Sequence, residues 1–381
     1  MSARIVGSGR EAGSALVAVV LLMGLVLVQP WIAAVWSVSG DRWYDQAATP
    51  LAFFALIGAL LVAVLVGWAD PWLGAFCGYV VLSAYLRPTL LGMAALEYVI
   101  AGAVLLLVVR HLARTGLALP WFGTQWFVNV VQLLVLALVA SGVFQVAYTL
   151  GQFAGYDPLW FGAEARADLR PMGTIRSAPL LGAYLAMLAP LAPAVLMPVL
   201  ALGVLASQSL LALLALVLGL LVRYRHRLLP AAAILGGTLG TGAIMLAFRP
   251  DLLSVGYRWT MWRLSVIDWL ATPPTILFGH GFGAWGGRLG PQYVAAMGPG
   301  EHRMPLHAHN ELIQFAHEGG LVALGLLVAW LWIHRGAWRS PFSGALTALA
   351  VTTLGTFPFH LATTAAAGVV ILGLATAPEP A

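Results

Sequence analysis

Long apolar runs separated by short arginine-bearing loops constrain this chain more than any other feature. Ser14 to Trp36, Leu51 to Trp68, Pro71 to Leu86, Thr89 to Val109 and Thr124 to Leu150 all read as membrane-spanning segments, for which about 20 predominantly apolar residues are the usual requirement. With 61% hydrophobic and 9% charged residues and a mean hydropathy of +0.91, the composition lies far outside the soluble globular range. A formal charge of +5 comes from arginine alone, since no lysine occurs. That balance suits anionic headgroups and pyrophosphates, and no basic, aromatic-interleaved domain is present to track a nucleic acid. The lone Cys77 excludes an intramolecular disulfide framework.

Charge bias orients the spans. Arg4 and Arg10 precede the first, so the N-terminus is expected in the cytoplasm, and Arg110 to Arg114 and Arg223 to Arg227 mark later cytoplasmic loops. Between 179 and 222 the number of crossings must then be odd. Three short segments broken near Pro190-Leu191-Ala192-Pro193 and Ser207-Gln208-Ser209 satisfy this. Leu229 to Phe248, Leu306 to Trp332, Phe342 to about Phe357 and Leu361 to Ala375 complete an all-α polytopic membrane protein of about twelve helices. It is expected to be a single integral membrane domain over 1–381, with both termini cytoplasmic and external segments at 151–178 and 249–305, the larger before the tenth helix. Within the second external segment, Tyr257 to Leu270 reads as a short interfacial amphipathic helix closed by Pro273-Pro274. Glu97, mid-span, calls for protonation or a partner.

Titratable residues crowd the stretch from His307 to Glu318, ahead of an apolar helix expected to begin near Leu321. Gly279-His280-Gly281-Phe282-Gly283 lacks the strand and βαβ context of a dinucleotide loop, and its glycines suit tight turns that present N–H groups. A zinc set of His307, His309 and His317 is conceivable, but no H-E-x-x-H or cysteine pair supports it, so no metal and no cofactor is expected.

His309-Asn310, followed after nine residues by Gly320, resembles the signature of the O-antigen ligase superfamily of membrane glycosyltransferases, which also holds O-antigen polymerases. Ala323 stands where the family usually has Gly, Thr or Tyr. Arg170-Pro171-Met172-Gly173-Thr174 and Arg258 with Trp262 also resemble family segments, whereas Ser177-Ala178-Pro179 and Ser207-Gln208-Ser209 depart from them. The resemblance covers about the C-terminal half and implies a family C glycosyltransferase type of fold.

The resemblance further implies a metal-independent transfer from a polyprenyl (undecaprenyl) pyrophosphate-linked glycan to an acceptor hydroxyl on lipid A-core or another envelope glycolipid. His309 would be general base, with Arg258, Arg170 or Arg176, Asn310 and His307 binding substrate. The expected place is the bacterial inner membrane, with chemistry on the periplasmic face. Histidine titrates near working pH and arginine never loses its charge, so both residue types suit these tasks. A polymerase of the same superfamily, or a flippase of anionic lipid-linked substrates, are the alternatives.

Overall fold

The structure, a computed structural model, describes residues 70–86, 90–115, 118–120, 127–157, 171–175, 177–227, 236–237, 240, 255–298 and 304–377. The spans expected at 14–36 and 51–68 lie outside these residues, as do almost all of 229–248. What is described is mostly helical: α1 (Pro71–Leu86), α2 (Leu90–Thr115), α3 (Val130–Phe153), α4 (Ala178–Leu188), α5 (Met197–Ala206) and α6 (Leu210–Arg223). Then come α7 (Val255–Trp269), α8 (Pro273–Phe278), α9 (Ala284–Met297), α10 (Glu311–Ile333), α11 (Ser343–Thr353) and α12 (Ala362–Thr376). A three-residue antiparallel ladder, Ala118–Pro120 with Phe127–Asn129, precedes α3, whose first turn Asn129 caps through Val131 N–H.

Among the described residues two helices, α3 and α10, are long and apolar enough to cross a membrane, and a further set of apolar helices or helical segments spans only 10–17 residues. The segment 178–223 forms three short helices, with Pro190 in a 3-10 turn after α4 and Ser209 capping α6. These pack with α3, α11 and α12 around one large apolar core that includes Leu181, Leu185, Leu200, Leu216 and Ile371. The crossing of α6 and α11 is close: a Cβ on Gly219 would lie 2.7 Å from Gly344 O.

The second group, α1 and α7 to α10, differs from expectation in two places and holds a helix that no sequence expectation covered. Instead of beginning near Leu321, α10 starts at Glu311, because Asn310 accepts from Ile313 N–H and caps it. The prolines expected only to close α7 also open α8. Finally, the segment after the glycine turn is helical: Trp285, Leu289 and Tyr293 recur at helical spacing and are buried with Met261 and Ala308, which overrides the glycines and Pro291 within α9.

One close approach sets the geometry of the site. At Gly320 (φ 65°, ψ −166°) α10 leaves helical geometry, which frees carbonyls just before the kink. His280 N–H and Gly281 N–H donate to His317 O and Glu318 O, both at 2.9 Å, and Tyr79 Oη donates to Gly319 O at 2.7 Å. A Cβ at Gly279 would lie 2.2 Å from Glu318 O, and one at Gly320 2.4 Å from Leu277 O, so only glycine fits either place.

Candidate functional site

His309 stands one residue before the Asn310 cap with φ 54°, a left-handed conformation uncommon outside glycine. The ring is thereby turned out of the helix line and meets Tyr257 edge-on at 5.9 Å and Phe357 edge-on at 4.8 Å. Arg258 donates from Nε to Tyr257 Oη at 3.1 Å, and its guanidinium carbon lies 5.7 Å from that ring's centroid. Tyr257 thus stands between Arg258 and His309, and the cation is near enough to act on the imidazole. Burial first, and then the Arg258 charge, push His309 down to about 4. At neutral pH it is an uncharged base.

His307 lies beside it, stacked on Phe357 at 4.7 Å and 4.5 Å from the His360 ring. Burial, with His360 and His309 adding to it, pushes His307 down to about 3. Asn310 spends its side chain on structure: Oδ1 caps α10, and Nδ2 donates to Leu354 O at 3.0 Å. Its place in the motif is therefore explained by fixing the histidine before it.

Behind the rings runs a buried polar chain. Gln314 accepts from Ala308 N–H at 3.0 Å, while its Nε2 lies 3.0 Å from His360 Nε2, 3.3 Å from Glu318 Oε1 and 3.4 Å from His307 Nδ1. Glu311 holds His360 Nδ1 at 3.1 Å and accepts from Phe359 N–H at 2.8 Å. Burial alone would lower His360, but the Glu311 and Glu318 carboxylates outweigh it and raise His360 to about 9. Glu318 also accepts from Trp285 N–H at 3.1 Å, tying α9 to α10. The spacing of Glu311, Gln314 and Glu318 on one face of a helix was the available signal for this chain. His360 carried no signal beyond its place in a turn.

A second cluster lies where α7, the glycine turn and α10 meet. Asp268 Oδ2 is 2.9 Å from His317 Nε2 and 3.1 Å from His280 Nε2, and Arg288 grips the same carboxylate at 2.5 and 2.8 Å. The Arg288 hydrogen bonds outweigh burial and hold Asp268 down at about 2.

Of the residues singled out in sequence, Arg258, His307, His309 and Asn310 come together, contributed by α7 and the turn before α10. Arg170 and Arg176 lie outside the described residues. The stretch between them is fixed on α3: Gln152 Oε1 accepts from Met172 and Gly173 N–H at 3.0 and 2.9 Å, and Gln145 Oε1 from Thr174 N–H at 3.0 Å. The zinc grouping of His307, His309 and His317 does not form, because His317 lies two turns into α10 and faces Asp268 and His280. The chain matches no protein-family model and no curated protein.

Proposed function

We propose that this chain is a polytopic membrane glycosyltransferase of the O-antigen ligase type, moving a glycan from a polyprenyl pyrophosphate to an acceptor hydroxyl on the periplasmic face of a bacterial inner membrane. The observation that carries the reading is a neutral, half-buried His309 beside a permanent cation, Arg258. A base must be unprotonated before it acts, and burial with a neighbouring cation keeps it so. His309 would take the proton of the acceptor hydroxyl as its oxygen bonds to the anomeric carbon. The bond from that carbon to the pyrophosphate oxygen breaks, and Arg258 holds the charge that develops there. Arg170 or Arg176, flanking the stretch fixed on α3, would supply further charge. The apolar composition and the two helices of spanning length support the membrane setting. A flippase is disfavoured because the polar residues of α10 itself, Glu311, Gln314, His317 and Glu318, lie in its first half and are not strung along it, whereas a polymerase of the same superfamily would use the same groups as the ligase.

The test is transfer by the reconstituted full chain with a polyprenyl-pyrophosphate-linked glycan and a glycolipid acceptor. His309→Ala should lower turnover by about 10²- to 10⁴-fold while donor binding persists. Near-normal turnover in that variant, with loss in His307→Ala, would assign the base to the wrong histidine. Undiminished turnover in both would remove the mechanism.

A further inference from the structure

The geometry points to a structural site for a zinc-class divalent cation formed by Asp268, His280 and His317, joining α7, the glycine turn and α10. It lies outside the transfer chemistry and stands independently of it. The two imidazoles come from segments far apart in sequence, yet both aim Nε2 at one oxygen, Asp268 Oδ2, at 2.9 and 3.1 Å. All three donor atoms lie within 4.8 Å of one another. Neighbouring ligands around a tetrahedral zinc with bonds of 2.0–2.1 Å stand about 3.3 Å apart. The two nitrogen–oxygen separations need to open by only a few tenths of an ångström, and the two ring nitrogens, no more than 4.8 Å apart, must close by up to about 1.5 Å to accept the ion.

The contacts divide the cluster into an inner and an outer part. Asp268 Oδ2 is hydrogen-bonded to His317 Nε2 and Arg288 Nε and Oδ1 to Arg288, while His280 Nε2, 3.1 Å from Oδ2, is also 3.2 Å from the Asp268 backbone carbonyl. A cation between the rings and Oδ2 replaces the two ring contacts with metal bonds, leaving Arg288 as the outer partner that a ligating carboxylate commonly has. The layering fits this division: the His317 and His280 side chains are 0% and 9% exposed, that of Arg288 46%. His317 Nδ1 is buried without a partner among the described residues, and that is so whichever ring nitrogen carries the proton, so it argues for neither state. Mixed nitrogen and oxygen donors with two histidines select zinc, cobalt or iron over magnesium or calcium.

The full chain, purified in detergent and stripped with a chelator, is loaded with Zn²⁺ or Co²⁺, freed of unbound ion by gel filtration and analysed by elemental mass spectrometry. No donor or acceptor is needed, so the result is separate from the fate of the glycosyltransferase reading. About one ion per chain is expected, with a Co²⁺ visible spectrum showing histidine nitrogen ligation. His280→Ala and His317→Ala should each weaken binding by at least about 100-fold, since even outer-partner changes cost about 10 to 100-fold. The exposed His226→Ala control should retain the ion. A wild-type chain that leaves the column without stoichiometric metal overturns the site, as does retention of metal by both variants. Where His317→Ala fails to fold, His280→Ala and the wild-type Co²⁺ spectrum still decide the matter.

Discussion

The two ends of α10 carry similar residue types and use them in opposite ways. At the far end Asp70 binds Arg110 at 2.6 Å, accepts from Leu73 N–H at 3.1 Å and from Trp330 Nε1 at 3.3 Å, and has His334 Nε2 at 3.7 Å. Burial works against this carboxylate, but those donors outweigh it and keep Asp70 below its usual range. Acid and base are matched there, with only the buried Arg110 Nε of that group left without a partner among the described residues. At the near end His307 and His309 lack carboxylate partners among the described residues, pack against Phe357 and stay neutral. Breaking a matched buried pair costs stability, whereas an unmatched, half-buried base with a displaced pKa is the kind of group that active sites use.

Substitutions at the two ends should therefore fail in different assays. His309→Ala should lower transfer by about 10²- to 10⁴-fold, the usual worth of a general base, with the melting midpoint little changed. Arg110→Ala should do the reverse. It leaves Asp70 buried without its cation, and a loss of about 3 kcal/mol, the lower part of the range for broken buried pairs, is expected because Leu73 and Trp330 still donate. Chemical denaturation in detergent and the transfer assay together read the contrast. If Arg110→Ala cost only activity, or His309→Ala only stability, the division between the ends would be wrong.

Arg258→Lys comes next. A point charge cannot reproduce the planar fork, so turnover should fall more than donor binding does, because leaving-group charge is greatest in the transition state. An interfacial arginine serving only the membrane surface would instead tolerate lysine in both measurements.

What was legible in the sequence follows from the range of the interactions. The breaks at Pro190 to Pro193 and Ser207 to Ser209 are local punctuation, and the structure has its helix ends there. The start of α10 lies ten residues before Leu321 because the Asn310 cap opens a first half carrying Glu311, Gln314, His317 and Glu318, polar residues that hydropathy discounts. The Glu311–His360 and Asp268–His317 contacts join residues 49 apart in sequence, and no local pattern records such a pairing. The same holds for Gln145 and Gln152, buried or half-buried glutamines of an apolar helix whose purpose appears only once Met172 to Thr174 lie against them.

Glycines sharpen the comparison at a smaller scale. Gly320→Ala should cost roughly 1–3 kcal/mol, since alanine is strained at φ 65° and its Cβ would strike Leu277 O. Gly325→Ala, in the straight half of α10 with nothing near its Cβ, should be neutral or gain up to about 1 kcal/mol. Equal effects from the two would mean that the kink does not hold the glycine turn against α10.

The smallest effect is a shift in a pH profile. His309, held at about 4 by burial and by Arg258, remains an unprotonated base well below its ordinary range near 6.5. The acid limb of the transfer rate should therefore fall near pH 4 instead of near 6.5. Stability has its own window: between about 4 and 6.5 an unfolded chain binds a proton at His309 that the folded chain refuses, so folding weakens as pH falls through that interval. His360 has the opposite sign. Raised to about 9 by Glu311 and Glu318, it contributes stability that is complete below 6.5 and lost as pH rises through 9. Arg258→Gln removes the second cause of the His309 shift and leaves the first, so the acid limb should move upward without reaching 6.5. An unmoved limb in that variant would mean that the cation does not act on the base, and the pairing of Arg258 with His309 would lose its meaning.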